Sequence, residues 1–130
     1  MLRILREQVD VLRREELEAY RGRVLAQIRT IFPTQWAALG EEGCASLVDR
    51  GLGRAARHGG TSEQDVFRYV SLMLVLGADF EDDPALPWVR EILGDPEASG
   101  WQKMSALMDR AIEWLRERDA PKEAEEVGRE

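Results

Sequence analysis

Between Val66 and Leu76 the chain reads VFRYVSLMLVL, and its apolar residues point in almost every direction around a helical turn. A helix of that pattern keeps no solvent face in its second half, so neighbours must enclose it. The run is far shorter than the ~20 residues that cross a bilayer, which makes the enclosing material protein. Thr61 and Gln64 stand in the T-x-x-Q spacing of a reciprocal N-terminal cap. Past Gly77, Pro84 and Pro87 forbid continuation. These signals place a buried central helix at about residues 61–79.

The remaining segments carry helical periods that can surround it. Leu5, Val9 and Leu12 form a short stripe whose phase slips at Arg13 and Arg14. Leu17, Tyr20, Val24, Ile28 and Ile31 resume it until Pro33, with Gly22 marking a close crossing. Thr34 caps a short turn containing Trp36 and Leu39, and Gly40 breaks the chain. Cys44, Leu47, Val48, Gly51, Leu52 and Ala55 then recur at helical spacing, with Gly51 and Ala55 forming a notch for the central helix; Gly59 and Gly60 end the segment. A short helix runs through Trp88, Val89, Ile92 and Leu93. A last one has a wide apolar face including Trp101, Met104, Leu107, Met108, Ala111, Ile112 and Leu115, broadened by Trp114. No segment alternates in the manner of a strand. The expected fold is all-α, a compact bundle of five or six helices around the buried central one, with residues 1–118 as a single domain and 119–130 as an acidic flexible tail.

Charge narrows the function classes. The net charge is −7, and residues 61–130 hold seventeen acids against eight bases. Such a surface repels phosphate backbones and anionic lipid, so neither nucleic acid nor membrane is an expected partner, whereas a basic protein is. The lone Cys44 has no internal disulfide partner. The opening MLRILREQVD is too charged for a signal peptide, and the expected location is the cytoplasm.

Asp79, Glu81, Asp82 and Asp83 form the densest group of oxygen ligands. Their spacing misses the EF-hand pattern, and no metal or cofactor is expected. The group reads either as a solvated loop, with Asp82 or Asp83 turning the chain before Pro84, or as a docking point for a basic partner. Trp88 follows the proline elbow and is the tryptophan least committed to a core stripe, so it joins the four acids as a candidate partner-binding residue. His58 lies in the last turn of its helix, where the dipole favours a cation. No nucleophile motif accompanies it, and no enzyme activity is expected.

Gly53-Arg54-Ala55-Ala56 with His58-Gly59, then Ser62-Glu63-x-Asp65-Val66, Tyr69, Leu72-Met73, Gly77, Asp79-Phe80, Asp83-Pro84 and Leu86-Pro87-Trp88, form a pattern. In it the chain resembles a family of small all-helical bacterial accessory proteins encoded beside type VI secretion effector and spike genes. Ser71, Leu74 and Leu76 stand where that family often carries an acid and aromatics. The resemblance implies a non-catalytic adaptor or co-chaperone that binds a secreted effector or its loading chaperone. An immunity protein blocking a cognate toxin is the alternative.

Overall fold

A computed structural model describes the backbone from Leu2 to Asp119 and the side chains from Arg14 to Asp119. Among these residues the chain is all-helical, with α1 at Leu2–Ile31, α2 at Pro33–Arg57, α3 at Glu63–Leu76, α4 at Pro87–Leu93 and α5 at Gly100–Asp119. A single 3-10 turn, Phe80–Asp82, lies between α3 and α4. No described helix is long and apolar enough to cross a membrane. The expected tail lies outside the described residues apart from Asp119, as do the side chains of Leu5, Val9 and Leu12.

The phase slip at Arg13 and Arg14 does not interrupt α1. Leu, Arg and Glu are good helix formers, and a rotated apolar stripe leaves the backbone ladder intact. Pro33 does end it and begins the next helix, with Phe32 at the N-cap position and no side-chain cap, so Thr34 lies inside α2 rather than capping a separate turn. In α2 the expected break occurs at Gly40, whose φ of 74° and ψ of 171° kink the helix. The helix then ends at Arg57, with His58 at the C-cap and Gly59 just past it, at φ 82° and with its N–H donating to the carbonyl of Ala56 at 3.0 Å. The cap of α3 sits one residue later than expected: the Ser62 hydroxyl accepts from the Asp65 N–H at 3.0 Å, an S-x-x-D cap that supplants Thr61 and Gln64.

α3 is the centre of the bundle, in contact with α1, α2 and α5, while α4 packs on α5. Tyr69 through Met73 are consecutively buried, as only a helix surrounded on all sides allows. The enclosure stops short of the end, however, since Leu74 and Leu76 are half-buried and Val75 is exposed. Around α3 lie Val24 and Ile28 of α1, Val48 and Ala55 of α2, and Met104, Leu107 and Ala111 of α5. Cys44 is buried among them, and burial pushes its thiol pKa up, away from reactive thiolate.

The notch on α2 receives α3 as its small residues foretell. A Cβ at Gly51 would lie 2.5 Å from Val70 Cγ2 and 3.4 Å from Met73 Sδ. Gly22, by contrast, has no neighbour within 4 Å and faces solvent, so it marks no crossing. At the other end of the bundle α5 starts against the loop after α2, where a Cβ on Gly100 would overlap the Gly59 carbonyl oxygen at 2.0 Å.

Two glycines two residues apart on α2 therefore respond oppositely to alanine. Gly51→Ala forces Val70, a stiff β-branched residue, out of place and lowers stability by about 1–3 kcal/mol. Gly53 meets nothing within 4 Å, so Gly53→Ala gains about 0.5–1 kcal/mol from helix propensity alone. Urea unfolding followed by circular dichroism measures both.

Candidate functional site

The elbow that joins α3 to α4 collects all four acids singled out by the sequence, and each has a structural partner. Gly77, with φ 114°, turns the chain out of α3, and its N–H donates to the Met73 carbonyl at 3.1 Å. The chain then doubles back so that Phe80 is buried with its ring 5.1 Å from that of Tyr69. One apolar side chain thus fixes the depth of the elbow, and polar groups fix its path.

Those polar groups come from α2, α3 and α4. Arg54 donates to the Ala78 carbonyl and to Asp79 Oδ1 at 3.0 Å. One turn further along α2, His58 Nε2 lies 3.1 Å from Glu81 Oε1, and the same oxygen accepts the Tyr69 hydroxyl proton. From the far side, Arg90 of α4 donates to the Glu81 carbonyl and to Asp82 Oδ1, each at 3.3 Å. Asp83 Oδ1 accepts from the Ala85 N–H at 2.9 Å, so Asp83 is the acid that turns the chain before Pro84.

Exposure separates the acids. The side chains of Asp79 and Asp82 are 72% and 78% exposed, whereas Glu81 is 25% exposed. Glu81 is the clasp of the elbow, while Asp79 and Asp82 are presented to solvent with an arginine behind each. Burial, reinforced by the Glu81 hydrogen bond and charge, raises the Tyr69 pKa well above the usual phenol range. The phenol therefore remains a donor to the carboxylate.

Trp88 does not join this surface. Pro87 begins α4 at once, turning the indole inward to 8% exposure, where the Arg110 guanidinium covers it at 5.4 Å from the ring centroid. The expectation of a partner-facing Trp88 is corrected accordingly. Trp101, expected in the core, is the exposed tryptophan instead, at 61%.

Arg54 and Tyr69 are the residues sequence reasoning missed, and His58, read as a dipole-stabilised cation, proves also to hold Glu81. A signal was present: Arg54 and His58 stand four apart, on one helix face. Nothing in the sequence pairs them with acids more than twenty residues downstream. Chemically the cluster binds a loop. Among the described residues there is no grouping of three or more His, Cys, Asp or Glu able to hold a metal ion. No family model, curated protein or solved structure matches the chain.

Removing the clasp's inner donor leaves a partly buried carboxylate short of one hydrogen bond, so Tyr69→Phe costs roughly 1–2 kcal/mol in chemical denaturation. Alkaline pH provides a second readout. Tyr20 is pushed up to about 12, by burial first and then by Glu63 and Asp65, and Tyr69 is raised also, both from 10.0. As pH rises past that unfolded value, the unfolded chain loses its phenolic protons first, so stability present below it declines. The decline is shallower in Tyr69→Phe, measured as the unfolding midpoint between pH 9 and pH 12, a range of about two units above and one below the ordinary phenol value.

Proposed function

We propose that this is a non-catalytic accessory protein of the bacterial cytoplasm, an adaptor or co-chaperone that binds a type VI secretion effector or its loading chaperone through the acidic elbow. The observation that carries the reading is the display of Asp79 and Asp82 on a loop whose backbone is already held by Arg54, Tyr69, His58 and Arg90. A loop ordered before association loses little entropy on binding, and its carboxylates steer a basic surface into place. The pattern of the resemblance includes Arg54, His58 and Tyr69, which hold this loop, and Asp79 and Asp83 on it. The acidic surface disfavours nucleic acid and anionic membrane as alternatives.

The same display suits an immunity protein whose carboxylates enter the basic active site of a toxin. The two readings part in cells: an adaptor is required for secretion of the effector, whereas an immunity protein rescues a cell from the active toxin. Because Glu81 supports the fold, the informative reversals are Asp79→Lys and Asp82→Lys. Together they slow association with the co-expressed effector or chaperone by about tenfold or more, with the circular dichroism spectrum unchanged. Undiminished recovery in pull-down would move the interface off the elbow.

A further inference from the structure

The apolar residues of α5 fall on two lines, of which the bundle uses one. Met104, Leu107 and Ala111 are buried against α3 and α4. Trp101, Met108, Ile112 and Leu115 lie at i, i+7, i+11 and i+14, along an outer shoulder of the helix. Trp101 is 61% and Ile112 40% exposed, with Met108 and Leu115 half-buried between the shoulder and the core.

The start of this line is held in place. Ser99 and Gln102 form a reciprocal cap, with Ser99 N–H donating to Gln102 Oε1 at 2.8 Å and Gln102 N–H to Ser99 Oγ at 3.3 Å. Between them Gly100 is pressed on Gly59, so the backbone under the exposed indole has little freedom to move.

Two features specify what fits there. Arg29 covers Trp36, Arg110 covers Trp88 and Arg118 covers Trp114, at 5.8, 5.4 and 5.4 Å from the ring centroids. Among the described residues Trp101 is the tryptophan with no such cation. Exposed acids also border the line, Glu97 at its start, Asp109 along it and Asp119 at its end, against Arg116, while Glu113 is paired with Arg110 at 3.8 Å. A second copy would bring the same acids to the same face, in a chain of net charge −7.

We infer that the outer face of α5 docks an amphipathic helix of a partner protein whose apolar stripe is flanked by lysine or arginine. Its apolar residues cover Trp101, Met108 and Ile112, its cations meet the bordering acids, and one of them stacks on the Trp101 indole. This inference does not depend on the effector reading.

The test uses the full chain and two synthetic helical peptides with the same leucine stripe, one flanked by lysine and the other by glutamate. In nitrogen-edited NMR spectra the lysine peptide shifts the Trp101 indole and the amides from Ser105 to Ile112 to saturation, and the glutamate peptide does not. Trp101→Ala and Ile112→Glu, both at exposed side chains, keep the fold and weaken binding by about tenfold or more. Indole and amide signals unmoved by the lysine peptide, or equal binding of both peptides, overturn the inference. So does a free-protein dimer in sedimentation that Ile112→Glu dissociates, which would assign the face to a second copy.

Discussion

The approach of α3 to α2 at Gly51 is the contact on which the other features depend. Five consecutive buried residues, Tyr69 to Met73, need neighbours on every side, and α2 can come close because Gly51 has no side chain to oppose Val70 and Met73. Ala55, one turn further on the same face, continues the apolar contact. Arg54 and His58 flank it and direct their side chains to the elbow rather than to solvent. One stretch of α2 thus provides both the seat for α3 and the groups that catch the chain after α3 ends.

That coupling explains why the acids read differently in sequence and in space. Four acids within five residues look like free charge because the partners of Asp79 and Glu81 are remote: Arg54 and His58 precede them by more than twenty residues. Folding converts Glu81 into a structural clasp and Asp83 into a turn residue, and leaves Asp79 and Asp82 as the exposed pair. In the proposed partner binding, Asp79 and Asp82, each paired with an arginine, serve orientation more than raw affinity.

Periodicity was a good guide to what a helix is and a poor one to which side of it faces in. The all-α class, the break at Gly40, the notch at Gly51 and the stop at Gly59 were all readable, because each rests on local backbone chemistry. The exchange of roles between Trp88 and Trp101 was not. α5 carries more apolar surface than α3 and α4 cover, and a wide stripe does not say which edge is left outside. Trp88 was assigned to the surface for the opposite reason, since a seven-residue helix has too few turns for its buried side to stand out.

The clasp at Glu81 predicts that the elbow is one folding unit with α3, which native-state hydrogen exchange tests residue by residue. The amides of Phe80, Asp82, Asp83 and Leu86 donate to carbonyls within the elbow. If the clasp joins them to the core, they exchange through the same opening as the buried amides of α3, with closely similar protection. Exchange at nearly unprotected rates while α3 stays protected would show a loop that opens by itself, and would contradict the account.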